Sequence, residues 1–573
     1  MTRSLPKRPI GASAKPCTIS RNRSGLACAN CLRSQLELSI VGSTAVLLLR
    51  SSCELIEDDV VVALMRLCRP AVAVSLALSR STRTRDELGA LVHHERGRYF
   101  CGGLLANLWV RALWATGVAT LAGLVIVPVA LAASSDPHRA KPYAAIAAAG
   151  MAVLFFGVFF DPRRPLRLLH FDLAVLLAFL IPDALGRAGF DSWPLMTTPL
   201  LAYLLARMLW IGCRPRPAHG PLLPVISTRA LTVVLFVLLG IRVALNLDGG
   251  VIDVGYGSVI GADRVVQGES LYEGEFPDLV RPGYFEHGDP YGPFTHLAYV
   301  PFETVFPWSG SWDSLPAAHA AAISFDLLVI GGLFMLGRSL WPERGRELGV
   351  AMAFAWVAYP YSLLILVFST NDGLVAALLV WTLVLARFPV GRGAMLALGT
   401  AAKFVAGALV PLFATATGRR PREVLTFAIV FVATFMLVTI PLLPDGGFSE
   451  VWDRTVGRQI EKPPAGTIWN VVPATDALRP LVQIAGVALA IIVALVPRRR
   501  TLSQVAALGA AVLIALELSH TFWTFTYISW WAPLLLAALL ARHRGAEEAG
   551  GDVARTPTRS VEGESRESAP SAL

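Results

Sequence analysis

The sequence predicts an all-α polytopic membrane protein. Of the 573 residues, 54% are apolar and only 16% are charged, whereas soluble globular domains average about 25% charged residues. Many separate apolar runs also reach about 17 to 25 residues, the length that crosses a bilayer. Because backbone groups in lipid must find partners within their own segment, such runs fold as helices. The net charge of +9 is typical of basic cytoplasmic loops in membrane proteins, so we expect no nucleic-acid binding.

The two ends of the chain differ from its middle. Residues 1–105 are rich in Ser, Arg and Cys and hold six of the seven cysteines. The one C-x-x-C pair, Cys28 and Cys31, lacks a second pair of ligands at zinc-site spacing, so we expect no metal site. We expect an N-terminal extension here, either disordered or the product of a start codon assigned too far upstream. Residues 545–573 are poor in apolar residues and are predicted to form a disordered cytoplasmic tail.

Between these ends the apolar runs predict a four-helix membrane region, 106–224, followed by a membrane core, 225–544. Clusters of arginine border the runs at alternate ends, which places those ends in the cytoplasm. Two long loops, 248–316 and 444–478, then face the outside. The predicted spans are 111–133, 143–160, 168–186, 194–213, 229–247, 316–336, 347–369, 371–387, 423–443, 479–496, 503–519 and 523–541.

Two further segments do not fit a single crossing. The apolar run 394–416 has basic residues at both ends, and one crossing would place a basic cluster outside. A re-entrant pair of half-helices that turns near Lys403 removes the conflict, because non-helical backbone is tolerated at membrane depth where it lines a cavity. Segment 296–308 is too short to cross and contains prolines, which predicts an interfacial or re-entrant helix.

The first outer loop opens with Asp253, a few residues beyond the predicted span 229–247. A carboxylate that is fixed by a helix end yet accessible suits a general base, which must reach the proton of an acceptor hydroxyl. Ordinary solvation of a loop aspartate is the alternative. Further along, Tyr291 and His296 lie in a stretch of prolines and aromatic residues. This stretch either holds a sugar or a lipid headgroup or forms an interfacial aromatic belt.

Lys403 lies in the middle of an apolar run, where a charge is costly and therefore suggests a function. A phosphate anion is a natural partner for its ammonium group, and a snorkelling lysine is the alternative. In the second outer loop Arg458 and Lys462 are candidates to face an anionic headgroup, with Trp469 as an interfacial anchor. His520 precedes the last span and is either an interfacial or a functional residue.

Polar residues also occupy the predicted spans. Asn371 and Asp372 stand at the start of span 371–387, where they suit a pair that caps a helix N-terminus. Asp326 lies within span 316–336, so it should face the interior of the bundle and find a partner. The sequence does not identify that partner.

Together these residues resemble the GT-C superfamily of membrane glycosyltransferases. The resemblance is to glycosyltransferase family 87 in particular, the polyprenol-phosphate-mannose-dependent mannosyltransferases of actinobacteria, and covers roughly residues 225–541. In that family the outer loop begins with an aspartate–tyrosine element, here Asp253 to Tyr256, and ends in Gly-x-x-Leu-Tyr, here Gly268 to Tyr272.

The later motifs of the family follow in the same order. Its Tyr-Pro-Pro-Phe motif corresponds to Tyr291-Gly-Pro-Phe, and its helix start with an asparagine corresponds to Asn371. Its apolar Lys-x-x-Pro segment corresponds to Lys403-Phe-Val-Ala. Gly292 and Ala406 therefore stand where the family has proline.

The resemblance implies a GT-C-like bundle of about 12 to 14 transmembrane helices, with re-entrant segments and two extracytoplasmic active-site loops. It implies an inverting transferase in the plasma membrane, with its active site outside. A sugar, mannose or another hexose, would move from a polyprenyl-phosphate donor to an envelope glycolipid or polysaccharide, with no metal and no cofactor.

In this scheme Asp253 is the general base, and Lys403, with Arg458 or Lys462, stabilises the charge on the departing lipid phosphate. Two alternatives remain open, a transporter or flippase for a polyprenyl-phosphate lipid and a non-catalytic membrane scaffold of the same fold. The expected substrate-binding residues are Tyr256, Tyr272, Tyr291, His296, Asn371, Trp469 and His520.

Overall fold

The structure is a computed structural model, and its described residues all lie in one compact unit, Asn107–Leu573. The predictions for residues 1–105, for span 111–133 and for tail 545–573 concern residues outside this description, and the predicted domain division stays a prediction. The structure describes residues 142–187, 190–214, 216–218, 220–272, 291–311, 314–341, 344–457, 459 and 464–543.

The described residues are mostly helical and form no β-strand beyond one isolated bridge between Ala465 and Phe522. This confirms the all-α fold. Short 3-10 segments cover Phe404–Leu409, Ile440–Leu442, Pro473–Leu478 and Phe525–Tyr527, and one π-helical turn covers Asp453–Gly457. The α-helices are α1 (Pro142–Phe159), α2 (Leu168–Ala178), α3 (Leu180–Arg187), α4 (Pro194–Cys213), α5 (Thr228–Leu247), α6 (Asp253–Gln267), α7 (Pro293–Val305), α8 (Pro316–Leu340), α9 (Gly345–Ala358), α10 (Pro360–Val367), α11 (Asp372–Val384), α12 (Pro389–Ala402), α13 (Val410–Ala414), α14 (Pro421–Thr439), α15 (Gly447–Trp452), α16 (Ile468–Val471), α17 (Arg479–Leu495), α18 (Leu502–Ser519) and α19 (Ile528–Leu540).

Within the described residues, six helices are long and apolar enough to cross a membrane, namely α4, α5, α8, α18, and α14 and α17 with their adjoining 3-10 turns. The pair α9 and α10 makes a seventh if it is counted as one span bent by 60°. This confirms a multi-pass membrane protein, with fewer straight spans among the described residues than the sequence predicts for the same part of the chain.

Breaks and short helices account for the smaller number of straight spans. The predicted span 347–369 is broken before Pro360, and span 168–186 is divided at Phe179. Span 371–387 becomes α11, which has only 13 residues and is almost wholly buried. A helix enclosed by other helices need not match the bilayer thickness, because protein rather than lipid surrounds its ends.

The chain breaks at Lys403, as the sequence predicts. Helix α12 ends at Ala402, and Lys403 has extended dihedral angles of φ −140° and ψ 122°. The chain then continues as the 3-10 turn Phe404–Leu409 and the short helix α13. The apolar run 394–416 is therefore two helical pieces joined at the lysine rather than one span.

Helix α7 covers most of the predicted segment 296–308, and its 13 residues are too few to cross a bilayer. Its interfacial or re-entrant placement stays a prediction. It begins with Pro293 at the first helical position, where a missing N–H costs nothing. It packs against α6, α8 and α12. The start of the helix is thereby brought to the break at Lys403.

The buried Asp326 finds its partner on α5. Arg242 donates from Nη2 to Asp326 Oδ1 at 2.8 Å, and the indole of Trp356 donates to the same oxygen at 2.8 Å. Arg242 Nη1 also donates to the carbonyl of Val357 at 3.0 Å. The guanidinium thus satisfies a carbonyl at the end of α9, where the helix break leaves carbonyls without helical partners.

Candidate active site

Four chain segments meet at the site, each at the end or the start of a helix. Asp253 is the first residue of α6, Asp372 is the first residue of α11, and Lys403 follows α12. Tyr291 lies just before α7. A carboxylate at a helix N-terminus is stabilised by the helix dipole, so Asp253 and Asp372 both stand at favourable positions.

Backbone contacts hold these helix ends together. The amide of Gly292 donates to the carbonyl of Ala402 at 3.0 Å, and the hydroxyl of Thr295 donates to the same carbonyl at 2.9 Å. These two bonds fix the start of α7 on the end of α12. The amide of Ile252 donates to the carbonyl of Phe368 at 3.3 Å, which fixes the start of α6 on the end of α10.

Lys403 is the centre of the site. Its Nζ lies 2.6 Å from Asp372 Oδ1, and the same oxygen accepts the indole N–H of Trp530 at 2.7 Å. The ammonium also lies 5.2 Å from the ring centroid of Tyr291 and 5.4 Å from a ring centroid of Trp530. One carboxylate and two aromatic rings therefore surround the charge, and cation–π attraction adds to the ion pair.

Tyr291 links Lys403 to Asp253. Burial raises the pKa of the Tyr291 phenol well above its usual value, and the negative charges of Asp253 and Asp372 raise it further. The negative charges of both carboxylates therefore disfavour ionisation of the phenol whose ring faces Lys403. Tyr272 donates its hydroxyl to the carbonyl of Tyr291 at 3.0 Å, which fixes the backbone at this point.

The loop predicted over residues 444–478 is held to the chain around His520. The amide of Ala465 donates to the carbonyl of Thr521 at 2.9 Å, and the amide of Trp523 donates back to Ala465 at 2.9 Å. The indole of Trp469 donates to the carbonyl of Leu518 at 3.2 Å. The loop residues after 463 therefore lie beside the segment that carries His520.

His520 joins the site through two aromatic rings. Its imidazole meets Tyr527 edge-on, with 6.5 Å between ring centroids. Tyr527 in turn stacks on Trp530 at 4.2 Å, and Trp530 bonds Asp372. Among the residues singled out from the sequence, the structure thus brings together Asp253, Tyr291, Lys403 and His520.

The other candidate residues support the helices around this cluster. Asn371 is fully buried and donates from Nδ2 to Ser258 Oγ at 3.0 Å, which ties α11 to α6. The ring of Tyr256 meets Trp308 edge-on at 6.1 Å. His296 is fully buried against Gly261, whose Cβ position would lie 2.0 Å from its Nδ1. Tyr256 and His296 thus belong to the packing around α6 and α7, and their predicted contact with substrate stays a prediction.

Arg458 and Lys462 lie outside the described residues. Their predicted role at the donor phosphate therefore remains a prediction as well.

Sequence reasoning missed three residues of the cluster: Asp372, Tyr527 and Trp530. The sequence favours Asp372 as part of an N-terminal cap, and the two aromatic residues lie within the predicted span 523–541. One signal was available, since a buried lysine needs a counter-charge. The choice of Asp372 among the nearby carboxylates depends on the packing of α11 against α12.

The comparison with known families adds an independent observation. Residues 290–521 match the model of glycosyltransferase family 87. The matched stretch includes Tyr291, Lys403 and His520 and begins after Asp253. It confirms the resemblance to family 87 and, with the membrane-length helices, supports a membrane glycosyltransferase. A search of the curated proteins found no match.

The structure also explains the two departures from the family 87 pattern. The backbone N–H of Gly292 donates to Ala402, and a Cβ at Gly292 would lie 2.1 Å from the carbonyl oxygen of Ala401. The N–H of Ala406 donates to the carbonyl of Lys403 at 3.1 Å. Proline has no N–H. Each departure therefore supplies a backbone donor that holds the chain around Lys403.

Proposed function

We propose that this membrane glycosyltransferase moves a hexose, mannose or another, from a polyprenyl-phosphate donor to an envelope glycolipid or polysaccharide. The transfer would take place on the extracytoplasmic side of the plasma membrane. One observation carries the proposal: the Lys403 ammonium faces the ring of Tyr291 where three helix ends meet, and the charge of the half-buried Asp253 carboxylate helps to raise the pKa of the same phenol. A sugar transfer needs a base for the acceptor and a cation for the departing phosphate, and this site offers both.

Asp253 would act as the general base. The acceptor oxygen forms a bond to the anomeric carbon while the bond from that carbon to the phosphate oxygen breaks, so the configuration inverts. The proton of the acceptor hydroxyl passes to the Asp253 carboxylate, and the polyprenyl phosphate leaves with the electron pair. A helix start suits this role because it fixes the carboxylate without enclosing it.

Lys403 would stabilise the charge that develops on the leaving phosphate. An ammonium has three N–H donors, and Asp372 takes one of them at 2.6 Å. The remaining donors suit phosphate oxygens. A cation fixed in advance is effective because it needs no reorganisation during the reaction. Arg458 and Lys462 of the second outer loop would add positive charge. This extra charge would be needed because Asp372 partly neutralises Lys403.

Aromatic side chains would hold the sugar and the lipid headgroup. Tyr291, Tyr527 and His520 are partly exposed. Tyr527 contacts both His520 and Trp530, and the Lys403 ammonium lies over Trp530 and Tyr291. Aromatic rings can contact the apolar face of a sugar while their polar atoms bond its hydroxyls. This scheme requires neither a metal nor a cofactor.

The test compares Asp253→Asn with Asp248→Asn in proteoliposomes that contain a radiolabelled polyprenyl-phosphate hexose and envelope glycolipid. Asp248 is an exposed residue at the end of α5, so its amide variant controls for the loss of one charge in the same loop. We expect Asp253→Asn to lower kcat about 10²- to 10⁴-fold, the usual contribution of general base catalysis, and Asp248→Asn to retain activity.

The same preparation separates the alternatives. Normal turnover by Asp253→Asn would exclude Asp253 as the base. Translocation of the labelled lipid by wild-type protein without sugar transfer would favour a flippase. Binding of the donor with no turnover on a panel of acceptors would favour a scaffold.

A further inference from the structure

A buried polar triad lies beside the first residue of α6 and is not used by the chemistry above. It consists of Asn246 near the end of α5, His319 on α8 and Ser369 between α10 and α11. Asn246 Nδ2 donates to Ser369 Oγ at 3.0 Å, and His319 Nδ1 lies 3.1 Å from Ser369 Oγ and 3.3 Å from Asn246 Oδ1. Asn246 also donates to the carbonyl of Leu366 at 2.6 Å. Three separate helices are therefore joined at one serine.

Ser369 occupies a position that usually belongs to glycine. Its φ is 49°, its amide donates to Leu366 at 2.9 Å, and the amide of Thr370 donates to Ile365 at 3.0 Å. This pair of bonds is the Schellman ending of a helix, whose left-handed residue is most often glycine because a Cβ is unfavourable there. A serine at this position gains what glycine lacks, the hydroxyl that bonds Asn246 and His319.

The link from α5 to α6 and the first turn of α6 rest on this turn at three points. The amide of Ile252 donates to Phe368, a Cβ at Gly249 would lie 2.3 Å from the carbonyl oxygen of Val367, and a Cβ at Gly255 would lie 2.7 Å from that of Ser369. The two close approaches require glycine at position 249 in the link and at position 255 in α6. The backbone before and after Asp253 is thus in direct contact with the turn that the triad holds.

We propose that Asn246, His319 and Ser369 are positioning residues that fix the turn after α10 and thereby the place of the Asp253 carboxylate. The catalytic part of this inference rests on the proposed function. Asp372 follows the same turn, but Lys403 and Trp530 hold its carboxylate independently. The triad should therefore control the rate of the step that Asp253 catalyses more than the binding of the donor.

The first test uses Ser369→Gly. Glycine suits the left-handed turn, and without the hydroxyl Asn246 keeps its bond to Leu366 and His319 keeps its contact with Asn246 Oδ1. We expect kcat to fall on the order of ten- to a hundredfold, the effect of a misplacement of about 1 Å, with the donor KM within about twofold. Thr370→Val is the matched control, because the buried Thr370 hydroxyl has no hydrogen-bond partner among the described residues.

Two further variants, His319→Ala and the double variant Ser369→Gly/His319→Ala, complete a double-mutant cycle. The loss in kcat of the double variant should be smaller than the sum of the two single losses, because both changes break the same contact between Ser369 and His319. Losses in kcat that add fully, or an unchanged kcat in Ser369→Gly, would overturn the proposal.

A second measurement does not depend on activity. Asp253→Cys is labelled with a membrane-impermeant maleimide in intact vesicles, and the modified peptide is quantified by mass spectrometry. We expect Ser369→Gly to change the labelling rate at position 253 on the order of threefold or more, since thiol reactivity follows its surroundings, and Thr370→Val to leave it unchanged. An equal labelling rate in Asp253→Cys with and without Ser369→Gly would overturn the proposal. This outcome is informative even if the wild-type protein transfers no sugar.

Discussion

Substitution of Gly292 gives the sharpest test of how Lys403 is held. A Cβ at this position would lie 2.1 Å from the carbonyl oxygen of Ala401, more than 1 Å closer than the 3.4 Å at which ordinary contact begins. The obstacle is backbone, so the end of α12 must move by about that distance, and Lys403 lies two residues further on. A misplacement of about 1 Å costs about 10²-fold in rate, and overpacking typically costs about 1–3 kcal/mol in stability.

Gly292→Ala should therefore lose about 10²-fold in transfer rate and show a lowered Tm in detergent. Gly292→Pro, which restores the motif of family 87, should be worse, because it also removes the N–H that bonds Ala402 at 3.0 Å. Gly331→Ala on α8 is the control, since nothing lies within 4 Å of its Cβ position. Full activity of Gly292→Ala at an unchanged Tm would refute the view that α7 and the break after α12 form one unit.

Two further predictions concern the cluster and its supporting helices. Asp372→Asn leaves the Lys403 ammonium enclosed without its counter-charge and should lower the free energy of unfolding by about 3–5 kcal/mol. Trp530→Phe removes one hydrogen-bond donor to Asp372 and should lower it by about 1–3 kcal/mol. Equal shifts of Tm in the two variants would contradict this order. Burial lowers the pKa of His296 from 6.5 to about 4. Between these pH values the unfolded chain binds a proton that the folded chain does not, so the free energy of unfolding should fall as the pH drops from 6.5 to 4, by up to about 3 kcal/mol. His296→Gln should flatten the dependence of Tm on pH between about 6.5 and 4, and an unchanged slope would show that His296 is not the titrating group.

Several local features of the fold could be predicted from the sequence. The break at Lys403 follows from basic residues at both ends of one apolar run, because a single crossing would place a basic cluster outside. The short helix α7 follows from its length and its prolines. In each case the free energy of placing a segment in the bilayer depends on the length, charges and prolines of that segment alone. The prediction therefore needs no knowledge of neighbouring helices.

Other breaks could not be predicted in this way. Span 168–186 divides at Phe179, and α11 is shorter than its apolar run. Hydrophobicity does not distinguish a straight span from two buried pieces, because an enclosed helix is apolar on all sides. The partner of Asp326 was likewise open, since Arg242 lies 84 residues away in the chain.

The sequence by itself determined the class of protein, the break at Lys403 and the candidates Asp253 and Lys403, because transfer of each segment into lipid is a local property. Only the tertiary structure decided that Lys403 pairs with Asp372, 31 residues away, and that Trp530, 158 residues from Asp372, bonds the same oxygen. A buried charge must be paired, and the packing of α11, α12 and α19 determines which groups can reach it. The composition of each helix leaves that choice open.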